Sequence, residues 1–328
     1  MSRAEQTELI IQRVLPSIRQ HQCSQPKLDP RAFVLGITGL QGSGKSTLAS
    51  SIVESLNNVH ACRAIEVSLD DFYLTQADRQ RLDQNNTLLK TRGQPGTHDV
   101  RLARLILDQF VSADKRANAQ QELAINEFEV SIPVFDKSLH SGCGDRLPRN
   151  LWKTVPRDPP VQVLVFEGWC LGFTPCTNDE MEKRWMAAKK QRCRQLESST
   201  LADSRFSTST LSEHSLEDLV SVNRNLEGYC HSFMGPQHLD FLVHLDTEDL
   251  SNVYTWRMQQ EKALRLAKGT SMMDDEVITF VKGYMPSYEM YLGDLRTGFF
   301  KDRDPNAQNK ELHILLDLPR NIVQMRTI

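Results

Sequence analysis

Gly39-Leu40-Gln41-Gly42-Ser43-Gly44-Lys45-Ser46 follows the pattern G-x-x-x-x-G-K-[ST], the phosphate-binding P-loop. Its glycines tolerate the backbone angles that turn successive N–H groups toward one anion. In that geometry Lys45 reaches the β- and γ-phosphates of a nucleotide, and the Ser46 hydroxyl is a ligand for Mg²⁺. The flanks agree. Phe33 to Thr38 reads as a short buried strand, and Lys45 to Leu56 places Leu48, Ile52 and Leu56 at helical spacing. Strand, glycine-rich turn and helix N-terminus together add the helix dipole to the nest of N–H groups. The expected nucleotide-binding residues are therefore Gly39, Leu40, Gln41, Gly42, Ser43, Gly44, Lys45, Ser46 and Thr47, with ATP and Mg²⁺ as the implied cofactors.

With 328 residues the chain has room for one large α/β domain with insertions, and such a core needs no disulfide support. Its 39 Lys and Arg against 42 Asp and Glu give a net charge of −3, which supplies no electrostatic reason to bind nucleic acid. Seven cysteines, an odd number with no C-x-x-C pair, read as reduced thiols rather than a disulfide frame or zinc site. The first twenty residues carry Glu5 and Glu8 in an amphipathic pattern, unlike a signal or transit peptide, and no run is long enough to span a bilayer. These features point to a soluble, cytoplasmic protein without membrane or nucleic-acid partners; the oligomeric state is not legible.

Beyond the P-loop helix the chain alternates strand and helix signals. Ala64–Leu69, Val161–Phe166, Phe241–Leu245 and Leu312–Leu316 read as strands. Val100–Phe110, Leu216–Tyr229, Thr247–Lys268 (ended by Gly269) and Asp274–Tyr284 read as helices, with Pro286 beyond the last. Thr75–Leu82 reads as a short helix capped by Thr75, and Asn85–Asp99 as a polar loop. Ala124–Phe135 alternates weakly, as an edge strand or hairpin, and Ser141–Pro160 reads as irregular. The pattern predicts an α/β fold, a P-loop NTPase with a doubly wound parallel sheet flanked by helices. Residues 1–30 form an N-terminal helical segment ahead of a kinase-sized domain, 31–328. Within that domain 177–214, charged and then Ser/Thr-rich, reads as a flexible surface insertion.

Two acidic positions follow strands, at the carboxyl edge where such sheets place ligands. Asp70 and Asp71 end the second strand; a carboxylate there serves as acceptor for the proton of an attacking hydroxyl, or caps the next helix. Glu167 ends the strand Val161–Phe166, where an acid holds Mg²⁺ directly or through water, or simply terminates a turn before Gly168. A guanine-reading N-K-x-D motif is lacking, since Asn309-Lys310-Glu311-Leu312 has no Asp, which argues against a GTPase switch.

Ser68-Leu69-Asp70-Asp71-Phe72-Tyr73 resembles the S-x-D-x-F-Y signature of the uridine kinase, phosphoribulokinase and pantothenate kinase group, and Phe166-Glu167-Gly168 its F-E-G strand end. Within that group the chain is most similar to the D-glycerate 3-kinase family. The likeness runs through Leu88–Asp99 (LLKTRGQPGTHD), Val134–Arg146 (VFDKSLHSGCGDR), Phe166–Phe173 (FEGWCLGF), Tyr254–Arg265, Met273–Val281 and Tyr284–Tyr288, in order. The 177–214 segment departs from it. The resemblance implies Asp70, rather than Asp71, as the base and Glu167 as an Mg²⁺ residue. It implies Arg257 as a lid arginine over the phosphates, and Tyr73, His98 and Asp99 at the acceptor. Arg92, Lys137 and His140 are candidate cations for a carboxylate-bearing acceptor. The implied reaction is ATP-dependent phosphorylation of D-glycerate to 3-phosphoglycerate, with Lys45, Asp70 and Arg257 as the catalytic set. A kinase of another small alcohol, such as a nucleoside or sugar phosphate, or a non-catalytic ATP-binding regulator, are the alternatives.

Overall fold

The structure, a computed structural model, describes residues 2–26, 30–111, 116–118, 128–197, 205–268, 271–301 and 309–328. Strands β1 (Phe33–Gly39), β2 (Ala64–Ser68), β7 (Val163–Glu167), β8 (Phe241–Asp246), β9 (Glu311–Leu316) and β10 (Ile322–Thr327) form one sheet in the order β10-β9-β8-β1-β7-β2. All neighbours are parallel except β9 and β10. Every residue of β1, β7 and β8 is buried, because these strands have neighbours on both sides and helices over the sheet. That explains their unbroken aliphatic runs. β10 alternates weakly and is half exposed, and this antiparallel edge was not legible as a strand in the sequence.

Helix α1 (Arg3–Ser24) lies outside α2 (Lys45–Asn58), which packs directly on β1, β2 and β7. Ile10, Ile11, Val14 and Ile18 of α1 are buried in the common core, at the i, i+4 spacing of one helical face. Helix α3 is one turn (Gln76–Arg79), with the Thr75 side chain accepting the Asp78 N–H as expected, and α4 runs Val100–Val111. The expected edge strand or hairpin in Ala124–Phe135 is a strand outside the main sheet: β3 (Glu129–Ile132) pairs with β6 (Lys153–Pro156) in a separate two-stranded sheet, and 124–127 lie outside the described residues. A second small ribbon joins β4 (Phe135–Asp136) to β5 (Asp145–Arg146). So Ser141–Pro160, read as irregular, holds two strands; its glycines and prolines mark the turns between them.

Helix α5 (Asn178–Glu197) is exposed along most of its length but buries Met181. Residues 198–204 are outside the described residues. The next stretch is packed: Thr210 and Leu211 are buried, and Glu289 Oε1 accepts the N–H groups of both at 2.6 and 2.9 Å. Helices α6 (Leu216–Tyr229), α7 (Asn252–Lys268), α8 (Asp274–Lys282) and α9 (Met285–Leu295) follow. Gly269, expected to end α7, lies outside the described residues. Pro286 lies just beyond α8, as expected, and also sits in the first turn of α9, where a missing N–H costs nothing. Among the described residues no helix is long and apolar enough to cross a membrane.

Candidate active site

The carboxyl ends of β1, β2 and β7 meet at a cleft of about 440 Å³. The P-loop forms its floor between β1 and α2. Gly42 has φ +75°, and a Cβ there would sit 2.6 Å from the Trp256 Cβ, so the close approach of α7 requires glycine. Gly44 occupies the N-cap of α2 and provides no side-chain cap, leaving the first-turn N–H groups facing the cleft without one. The loop is braced from outside. Gln41 N–H donates to Tyr288 Oη at 3.1 Å, and Arg320 Nε donates to the Gly42 carbonyl at 2.6 Å.

Lys45 donates to the Leu40 carbonyl at 3.3 Å. Burial lowers its pKa and the Glu167 and Asp70 charges raise it, with a net shift downward. Glu167 sits at the end of β7, opposite Ile37 on one side and Ser68 on the other. Its Oε1 accepts from Ser46 Oγ at 2.9 Å and Ser68 Oγ at 2.8 Å. A hydroxyl and a buried carboxylate beside an uncapped helix N-terminus are hard oxygen donors suited to Mg²⁺ on a phosphate chain.

Asp70 and Asp71 follow β2 on a 3₁₀ turn, Leu69–Phe72, which points them apart. Asp70 lines the cleft, and its Oδ2 accepts from Lys137 Nζ at 2.5 Å. Burial favours the neutral acid, but the Lys137 ammonium overcomes it and holds the carboxyl well below the usual range. Asp71 turns away from the cleft to accept the Phe135 N–H at 3.3 Å, and burial pushes its pKa up to about 6.

Tyr73, Arg92 and Lys137 also line the cleft, together with Trp169 and Tyr284. The Arg92 guanidinium lies over Phe135, 5.9 Å from the ring centroid, and donates to the Gly142 carbonyl at 2.5 Å. Tyr284 Oη donates to the Arg92 carbonyl at 3.2 Å. Gly93, at φ +139°, passes so close to this phenol that a Cβ would lie 2.2 Å from its oxygen. His98 does not line the cleft: it is buried and stacks behind Tyr73 at 4.3 Å. Its Nδ1 lies 2.9 Å from Tyr229 Oη, which already accepts the Gly96 and His98 N–H groups. The phenol proton therefore goes to Nδ1, leaving hydrogen on Nε2. Burial lowers the imidazole pKa to about 3, so it is neutral.

Besides His98, two more expected acceptor residues, Asp99 and His140, are placed elsewhere. Asp99 caps α4 through the Leu102 N–H at 3.0 Å and pairs with Arg146 at 3.2 Å. His140, in an exposed turn at φ +52°, pairs with Asp145 at 3.1 Å. Neither lines the cleft, because helix capping and a local ion pair engage both. Arg257 does line it, from α7. It is half-buried, paired with Glu261 one turn on, and lies over Phe280 of α8 at 4.8 Å. The sequence pointed to no role for Trp169, Tyr284 or Arg320. The first two lie in the blocks FEGWCLGF and YMPSY; Arg320, in the β9–β10 turn, carried no signal.

A P-loop on the central strand of a parallel sheet, an acid at the end of the next strand and a carboxylate facing the loop define a P-loop kinase. No family model matches the sequence. The chain is 38% identical over 291 residues to the uncharacterized kinase mug58 of Schizosaccharomyces pombe, covering 88% of this chain and 90% of that protein. It is 31% identical over 296 residues to the chloroplastic D-glycerate 3-kinase of Arabidopsis thaliana, covering 89% of this chain and 54% of that longer protein. The solved structure of D-glycerate 3-kinase from Cryptococcus neoformans superposes with a TM-score of 0.78 at 30% identity, covering 98% of this chain and 99% of that one. The chain belongs to the D-glycerate 3-kinase family.

Proposed function

We propose that the protein transfers the γ-phosphoryl group of ATP to the 3-hydroxyl of D-glycerate, giving 3-phosphoglycerate and ADP. The observation that carries this reading is the pairing of a P-loop lysine with an acceptor end that presents two cations, Arg92 and Lys137, around one carboxylate, Asp70. A neutral polyol gains little from two such cations, whereas a small hydroxy acid offers them a carboxylate to pair with. The D-glycerate 3-kinase relatives support the same acceptor.

The P-loop N–H groups and Lys45 hold the phosphate chain, and Ser46 and Glu167 would hold Mg²⁺, which neutralises phosphate charge. Lys137 exchanges its contact with Asp70 for the acceptor carboxylate. Asp70, freed, accepts the hydrogen bond of the 3-hydroxyl and takes its proton as the new O–P bond forms and the bond to the β-bridging oxygen breaks. Because this transition state is loose, aim matters more than basicity, and a carboxylate of low pKa suffices. Arg257 offsets charge on the transferring group. Tyr73, Tyr284 and Trp169 wall the acceptor end with aromatic rings that exclude water.

Steady-state kinetics of Lys137→Met on D-glycerate and glycerol test the acceptor. A hydrogen bond to a charged group contributes roughly 1.5–3 kcal/mol, so kcat/KM for D-glycerate should fall about 10- to 150-fold. KM for ATP should hold. Glycerol, a poor substrate for the wild type, should change little. Equal losses on both acceptors would assign Lys137 to the phosphoryl group or the fold and remove the carboxylate reading.

A further inference from the structure

The polar charges around the cleft fall into two groups. Lys45, Lys137 and Arg257 gather about Asp70, each within electrostatic reach of it. Arg3 and Arg320 form the second group: burial first, and then the Arg3 charge, lower the Arg320 pKa. Both line the same cleft. Arg3 is the first residue of α1, which runs alongside α2 with Glu8 against Ser55 and Gln22 against Cys62.

Arg320 is held in place by several contacts. Its Nε donates to the Gly42 carbonyl at 2.6 Å and its Nη1 to Gln259 at 2.8 Å, and its plane lies over Trp256 at 5.4 Å. None of these partners is a carboxylate. Two neighbouring guanidinium groups with no acid between them repel each other, and a ligand that accepts hydrogen bonds or offers a π face relieves that repulsion. On the reading proposed above, the γ-phosphate faces Asp70. The rest of the nucleotide must then extend away from Asp70, past the P-loop, toward the end that holds Arg3 and Arg320.

We infer that Arg3 and Arg320 form the nucleoside subsite of the kinase, so that the N-terminal helix is part of the ATP site. Guanidinium planes stack on nucleobases and donate to their ring nitrogens and to ribose oxygens, whereas the phosphate chain is already served by the P-loop. This inference rests on the nucleotide reading of the cleft but adds a residue from an element that no P-loop motif includes.

The test is calorimetric binding of ATP and of inorganic tripolyphosphate, each with Mg²⁺, to the full-length wild type, Arg3→Ala, Arg320→Lys and Lys45→Ala. Arg3 is exposed, and the Thr7 Oγ1 hydrogen bond it accepts meets its backbone carbonyl, which Arg3→Ala keeps, so the variant should fold as the wild type does. It should bind ATP about 5- to 10-fold more weakly, in keeping with one partly exposed charged contact, and tripolyphosphate equally well. Arg320→Lys keeps the charge but loses the flat, forked donor, and should show the same selective loss. ATP binding unchanged in Arg3→Ala overturns the inference, and an equal loss on tripolyphosphate overturns its assignment to the nucleoside. A wild type that binds neither ligand, or a Lys45→Ala variant that binds both normally, instead sinks the nucleotide reading itself.

Discussion

Neighbouring aspartates show how one backbone turn separates two chemistries. Asp70 faces Lys137 and keeps its charge; Asp71 faces an amide and is starved of solvent. Asp70→Asn should lower kcat by about 10²–10⁴-fold, the usual range for a lost proton acceptor, while Asp71→Asn should leave kcat within a few-fold. The two also differ in their linkage to stability. A folded-state carboxyl held low contributes stability above its unfolded value, lost only as pH falls through the low folded pKa; Asp70 should therefore add no acid limb to the rate profile above pH 5. A carboxyl raised to about 6 does the reverse, and its contribution fades as pH rises from the ordinary aspartate value through 6. Asp71→Asn should thus raise Tm at pH 7.5 relative to wild type, with the gap closing toward pH 4. Thermal melts across that range check it; a gap that does not vary with pH would mean that Asp71 is solvated and ordinary. The spacing D-x-F-Y identified Asp70, but the sequence could not show that Lys137 neutralises it, because 67 residues separate them.

At the scale of elements, local rules were readable and long-range partners were not. The P-loop, its strand and its helix follow from adjacent residues, as does the Thr75 cap. The β3–β6 ribbon joins segments more than twenty residues apart through a run without clear periodicity, so the sequence left it as an edge strand and a loop. Composition misled most at 205–214. Serines and threonines there suggested a solvated segment, yet Phe206 stacks on Tyr254 at 5.1 Å and Tyr254 Oη donates to the Ser207 carbonyl. Glu289 closes the arrangement by accepting from Thr210 N, Thr210 Oγ1 and Leu211 N. Its removal would leave buried donors unpaired. Glu289→Ala should cost about 1–3 kcal/mol in a denaturant melt and should speed proteolysis within 205–214. Cleavage rates that match wild type there would show that aromatic packing alone holds the segment.

Across the molecule, residues of α7, α8, α9 and the turn between α8 and α9 reach several sides of the cleft. Arg257 lies against Phe280 at 4.8 Å, and the Gly283 carbonyl accepts from Gln94 Nε2 at 2.7 Å. Tyr284 Oη donates to the Arg92 carbonyl at 3.2 Å, and Tyr288 Oη accepts the Gln41 N–H of the P-loop at 3.1 Å. The Arg92–Gln94 loop, Arg257 and the P-loop are therefore tied to the same helices and the turn between them, although Gln41 and Tyr288 lie 247 positions apart in the sequence. An acceptor that orders Arg92 should order Tyr284, and with it the helices that carry Arg257 and brace Gln41. Binding at one end then lessens the ordering left for the other, which is positive coupling without any direct contact between ligands. D-glycerate at saturation should tighten binding of a non-hydrolysable ATP analogue by about 5-fold, and the analogue should tighten D-glycerate binding by the same factor. Tyr284→Phe keeps the ring against Gly93 and Trp169 but deletes the bond to the Arg92 carbonyl. It should bind each ligand alone almost as the wild type does while losing most of the coupling. Titrations of both ligands, alone and together, on the two proteins give the four constants needed. Independent binding in the wild type would refute the shared-helix argument, and full coupling in Tyr284→Phe would move the connection from the Arg92 carbonyl to the Gln94–Gly283 contact.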